Sequence, residues 1–190
     1  MISSTIDKFI AESFDRALFV VQEPLKNEEL IWALIPIIVT LILIEIYFGR
    51  YRREELGWNT AFGNSLILIF VSADLIKYSI RTNILGTDPI KTGIIVGLIT
   101  VGFIITFVDF FHMMPREWAF AISSKLPTSF LAIISMLFIY IDIPIDYITA
   151  TALFLLLLNM YIVLIIIHHL IPAFRGLFPE EVPDPILEED

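Results

Sequence analysis

Residues 147–174, YITATALFLLLLNMYIVLIIIHHLIPAF, contain no Asp, Glu, Lys or Arg. As a helix rising about 1.5 Å per residue this run extends about 42 Å, more than the roughly 30 Å hydrocarbon core of a bilayer. Lipid admits only helices and closed barrels, and the run lacks the period-two alternation of a barrel strand. It therefore reads as a transmembrane helix, and the rest of the chain falls into register with it.

Upstream, charged residues gather in short clusters and leave apolar runs between them. Residues 30–48 hold one charge, Glu45, and form a first span that ends in the polar loop Arg50, Arg52, Arg53, Glu54 and Glu55. Residues 58–78 form a second, opened by Trp58 as an interfacial anchor and closing through Asp74, Lys77 and Arg81. The turn residues Gly86, Asp88 and Pro89 lead to a third span over 92–111. A fourth, 118–141, contains Lys125 and Pro127 and has two readings. Either it is one kinked, tilted helix in which Lys125 snorkels to the headgroups, or residues 117–125 lie in the interface and a short helix starts at Pro127. The decisive run supplies the fifth span, 147–171. Trp32, Trp118, Tyr47 and Tyr140 near span ends read as the aromatic belt.

Composition agrees: the 190 residues are 57% hydrophobic and 17% charged with mean hydropathy +0.84, against about half and about a quarter in soluble domains. The expected fold is all-α, a polytopic membrane bundle of five transmembrane helices preceded by an amphipathic N-terminal helix. Residues 1–29 form that helix and a linker, 30–174 the transmembrane domain, and 175–190 an acidic, Pro-rich tail. The net charge of −9 owes much to the tail, where Glu180, Glu181, Asp184, Glu188, Glu189 and Asp190 lie.

Between Ser4 and Gln22, Ile6, Phe9, Ile10, Phe14, Ala17, Leu18 and Val21 recur at helical spacing with Asp7, Lys8, Glu12, Asp15 and Arg16 largely opposite. Ser4 and Asp7 resemble a capping arrangement, and Pro24 marks an end. Acids interrupt the apolar stretches before Leu30, unlike the core of a signal peptide, so this helix is expected in the mature protein, on the membrane surface, on a partner or against its own bundle. The positive-inside rule leans towards a cytoplasmic C-terminus: Arg50, Arg52, Arg53, Arg116 and Arg175, with Lys125, share one face and Lys26, Lys77, Arg81 and Lys91 the other. The 35 isoleucines match the usage of AT-rich prokaryotic genomes, pointing to a prokaryotic cell membrane.

Several function classes fall away. The chain has no cysteine, which removes disulfides and thiolate chemistry. Its densest basic cluster, Arg50, Arg52 and Arg53, is too small for a nucleic-acid surface. It has no H-E-x-x-H, G-x-S-x-G, G-x-x-x-x-G-K-[ST] or G-x-G-x-x-G pattern.

Ionisable groups inside a bundle are the remaining functional candidates, because burying them is costly. Glu45, Asp109, His112, His168 and His169 lie near the ends of spans one, three and five, hence at one face. Asp109 and His112, three positions apart and so on one helical face, form with His168 a candidate ligand set for copper, iron or zinc, with Glu45 and His169 as alternates. Against this, histidines at a helix C-terminus also cap carbonyls and favour the dipole, and His168 and His169 point about 100° apart. Asp74 and Lys77, one turn apart, are expected to form an ion pair. Gly93 and Gly97 make a G-x-x-x-G pair that admits a close helix partner, including a second copy of the chain.

These features favour an accessory or structural subunit of a larger membrane complex, such as a respiratory or metal-oxidase assembly, with the lipid bilayer and other membrane subunits as its partners. A metal-dependent membrane enzyme built on the Asp/His set is the alternative, and a small oligomeric transporter using Asp74, Lys77 and Asp109 ranks third. The respiratory or oxidase context rests on architectural analogy.

Overall fold

The structure is a computed structural model that describes residues 2–50 and 57–173. Helix ends follow local chemistry. Helix α1 (Ile2–Gln22) gives way to a 3₁₀ turn containing Pro24. Asn27 then caps α2 (Glu28–Arg50), its side-chain oxygen accepting the Leu30 N–H at 3.1 Å, while Glu28 and Glu29 occupy the positive first turn. Helix α3 (Trp58–Arg81) leads through the single turn α4 (Ile84–Thr87) to α5 (Pro89–Phe110). There Asp88 accepts from the N–H groups of Ile90 and Lys91, both at 3.0 Å, and Pro89 sits where no donor is required. Helices α6 (Arg116–Ile122) and α7 (Lys125–Tyr140) follow, then α8 (Tyr147–Ala173), capped by Asp146 through the Thr149 N–H at 2.7 Å.

Among the described residues five segments are long and apolar enough to cross a membrane: Glu28–Tyr47, Trp58–Arg81, Pro89–Phe110, Arg116–Tyr140 and Tyr147–Ile167. The chain is thus an all-helical, multi-pass integral membrane protein. Side-chain pairs set the antiparallel order. Arg81 at the end of α3 meets Glu29 at the start of α2 (2.7 Å), and Lys91 at the start of α5 meets Asp142 just after α7 (2.7 Å). At the opposite end Trp58 stacks on His112, and Lys125 pairs with Glu45. These are called the Arg81 end and the His112 end.

Helix α7 is the hub, packed against α2, α3, α5 and α8, and the fourth span is accordingly the most buried. Its Ala132, Met136 and Ile139 meet Leu34 and Ile37 of α2, Leu68 and Leu75 of α3, and Ile95 and Leu98 of α5 in one apolar core. Helix α5 lies closest to α3, where Gly102 permits the approach: a Cβ there would stand 3.1 Å from the Leu68 Cβ and 3.4 Å from the Ile69 nitrogen. Helix α8 is apolar on every side and the least buried span, touching chiefly α1 and α2.

Three expectations are corrected. The fourth span is discontinuous, broken at Ser123 and Ser124, so neither a continuous kinked helix nor a start at Pro127 describes it. Pro127 instead occupies the first turn of α7, where helix N–H groups have no intrahelical acceptor and its missing donor costs little. Lys125 does not snorkel; its side chain is mostly buried against Glu45. Helix α1 begins at Ile2, so Ser4 stands inside its first turn rather than at the cap.

The α1 helix packs on its own bundle through Ser13, Ala17 and Val20, which face α8, with Arg16 reaching Asp146 (3.9 Å) and the Thr149 hydroxyl (3.4 Å). The neighbouring apolar stripe Ile10, Phe14, Leu18 and Val21 remains exposed, as suits a helix that also meets lipid. Residues 51–56 of the expected polar loop and the expected acidic tail from 175 lie outside the described residues.

Candidate functional site

The polar residues singled out by sequence fall at both ends of the bundle. At the His112 end the break between α6 and α7 organises them. A helix interrupted inside a bundle leaves backbone groups that neither water nor the next turn satisfies, so side chains must supply partners. Asn64 of α3 donates to the Ser123 carbonyl at 2.9 Å, and the Ser123 hydroxyl donates to Asp109 Oδ2 of α5 at 2.6 Å. All three residues are buried, and Asp109 is 1% exposed. Asp109 Oδ1 has no hydrogen-bond partner among the described residues. About one turn back along α5, Thr106 donates to the Ser65 hydroxyl at 3.0 Å, extending the polar seam between α3 and α5.

His112 stands apart from this node. Its backbone is left-handed, with φ of 52°, and it ends α5: the Met113 N–H returns to the Val108 carbonyl at 3.0 Å and the His112 N–H to Asp109 at 3.4 Å. That pair of bonds is the Schellman closure of a helix C-terminus, here with histidine in the position glycine usually fills. The imidazole is exposed and lies against Trp58, ring centres 4.1 Å apart. Because His112 has left the helix, the three-residue spacing from Asp109 no longer places both side chains on one helical face.

Glu45, an alternate in the proposed ligand set, is engaged by Lys125; their side chains are 10% and 20% exposed. His168 and His169 lie on the backbone of α8, but their side chains lie outside the described residues. Among the described residues no group of three His, Asp or Glu side chains is placed to hold a metal ion. The buried carboxylates at this end are held by serine and lysine, and the arrangement ties α2, α3, α5 and α7 around the helix break.

At the Arg81 end, Asp74 and Lys77 do not form the expected ion pair. Asp74 accepts the Tyr140 hydroxyl at 3.2 Å, and Tyr140 stacks on Tyr78 with ring centres 3.9 Å apart. Tyr140 is half-buried, whereas Trp32 and Trp118 are exposed. Lys77 is exposed and has no hydrogen-bond or ion-pair partner among the described residues. Asp146, outside the spans, is held below its ordinary carboxyl range, first by the Thr149 N–H and further by the charge of Arg16.

Sequence reasoning singled out Gly93 and Gly97 and passed over Gly102. The structure separates them. Gly102 faces α3, whereas a Cβ at Gly93 or Gly97 would meet nothing within 4 Å, and both glycines are exposed. They continue along α5 into exposed Thr100 and Ile104, a shallow stripe on the outward side of the span. No family model, curated protein or solved structure matches the chain.

Proposed function

We propose that this integral membrane protein is a structural subunit of a larger membrane assembly, joined to it by a transmembrane helix of another subunit that packs on the Gly93 and Gly97 face of α5. One observation carries the reading: this G-x-x-x-G surface lies within a candidate span and has no partner helix against it among the described residues. Between apolar helices in lipid, close backbone approach across small residues replaces the hydrophobic drive available in water. Thr100 on the same stripe bonds its own Val96 carbonyl at 2.7 Å, keeping the polar group satisfied until a partner arrives.

The interior polar groups support the same role. Asn64, Ser123, Asp109, Glu45 and Lys125 are spent on joining helices of this chain around the α6–α7 break, which holds α5 as a firm element with its glycine face outward. A respiratory or oxidase context remains an analogy of architecture.

The test is extraction of the native protein from its membranes in mild detergent, native electrophoresis and mass spectrometry of co-migrating chains. The expected result is a stoichiometric partner, lost in the double variant Gly93→Leu/Gly97→Leu while the isolated chain keeps its helicity and melting point. Migration of wild type and double variant as the same single chain would refute the reading.

A further inference from the structure

A second feature is independent of the α5 face. Helices α2 and α3 are consecutive, yet they barely touch; both lean on α7 and leave a cleft of about 590 Å³ between them, floored by Met136 and Tyr140. That volume lies in the range of small-molecule and cofactor sites, roughly 300–1,000 Å³. The cleft starts at Glu29 and Arg81, at the Arg81 end, and runs inward along α2 to Thr40. Eleven residues of helix separate Glu29 from Thr40, about 16 Å, roughly half the hydrocarbon thickness. Its reach is that of one leaflet.

The chemistry changes along this length. The inner walls are apolar, formed by Pro36, Ile37, Ile67, Phe70 and Val71, with Thr40 as the polar exception. The mouth carries Glu29, Asp74, Lys77 and Arg81. Glu29 is matched by Arg81, whose guanidinium also lies 5.7 Å from the Tyr78 ring centre, and Asp74 takes the Tyr140 hydroxyl. The two acids and two bases at the mouth balance in formal charge, and Lys77 is the one of the four with no hydrogen-bond or ion-pair partner among the described residues.

We propose that this cleft binds one bilayer phospholipid, with its phosphate on Lys77 beside Arg81 and an acyl chain along Pro36, Phe70 and Thr40. A lysine ammonium is a compact partner for phosphate, and the donors of Lys77 meet no acceptor among the described residues, so a headgroup phosphate can take them. A soluble anion would leave the apolar length unused. A protein helix would need small residues to come close, whereas Trp32, Phe70, Tyr78 and Met136 stand in its way.

The experiment uses the purified full chain in detergent, titrated with phosphatidylglycerol and followed by native mass spectrometry. Wild type binds one lipid. Lys77→Glu, which reverses the charge at the mouth, and Thr40→Trp, which fills the inner end, each weaken that binding by about tenfold or more. Both positions are exposed, so the core is untouched, and unchanged melting of each variant checks this. Lys26→Glu, at the same end but outside the cleft, retains wild-type affinity. Wild-type affinity in either Lys77→Glu or Thr40→Trp, with folding intact, overturns the proposal, as does equal displacement of the lipid by oleate, which lacks a phosphate.

Discussion

The ion pair between Glu45 and Lys125 gives the sharpest energetic prediction. It joins α2 to the first residue of α7, just past the helix break, with side chains only 10% and 20% exposed. Removing one member of a buried pair costs about 3–5 kcal/mol, whereas replacing both with well-packed apolar residues of similar volume is often close to neutral. Lys125→Met and Glu45→Met should therefore each destabilise by about 3–5 kcal/mol, and the double variant should lie within about 1 kcal/mol of wild type. The coupling in a double-mutant cycle is then large and opposite in sign to the single losses. Reversible unfolding in mixed dodecyl maltoside and dodecyl sulfate micelles, followed by the fluorescence of the three tryptophans, reads all four states. Single losses under about 1 kcal/mol that simply add are the behaviour of an exposed pair. That result would refute the burial of Lys125 and restore a snorkelling lysine.

Three further outcomes follow from the same structure. Gly102→Ala should cost about 1–3 kcal/mol in the same assay, because the added methyl presses on Leu68 and Ile69, while Gly93→Ala and Gly97→Ala in the isolated chain should cost nothing; equal effects at all three would contradict the packing of α5. Ser123→Ala should cost about 1–3 kcal/mol by stripping the buried Asp109 carboxyl of its donor, whereas Asp109→Asn should be milder, and the reverse order would give the Asp109 charge a role beyond structure. Because the Asp146 carboxyl is depressed in the folded chain, its hold on α8 and Arg16 is complete above its ordinary value of 3.8 and fades only as pH falls below it, through the lowered value. Spin labels at introduced cysteines on α1 and α8, which a chain without native cysteine makes clean, should report an unchanged distance from pH 7 to 5 and lengthen only below pH 3.8; separation already at pH 5 would contradict this.

The spans were legible because each consists of an apolar run long enough to cross lipid, bounded by Pro, Gly or charge. Residues 147–174 needed no tertiary information. What escaped was anything decided by a neighbour. Lys125 reads as a snorkelling residue until α2 is seen to bring Glu45 beside it, and Asp74 reads as the partner of Lys77 until Tyr140 arrives from 66 residues away. The Asp109 and His112 spacing assumed a helix that continues, but the chain turns left-handed at His112. The break at Ser123 and Ser124 had a local signal in two adjacent serines before Lys125 and Pro127, and its cost is offset by Asn64 from another helix, which no local reading supplies. Gly102 was indistinguishable from Gly93 and Gly97 by composition; only the position of α3 separates an inner glycine from outer ones.

The central claim is that the outward face of α5 meets a partner helix. A photoreactive amino acid placed at Val96, exposed beside Gly93 and Gly97, and activated in native membranes tests it directly. The account predicts a discrete adduct with one protein chain, abolished by Gly93→Leu/Gly97→Leu and not formed from Phe154 on the exposed surface of α8. Adducts with lipid alone from Val96, or the same protein adduct from both positions, would contradict it.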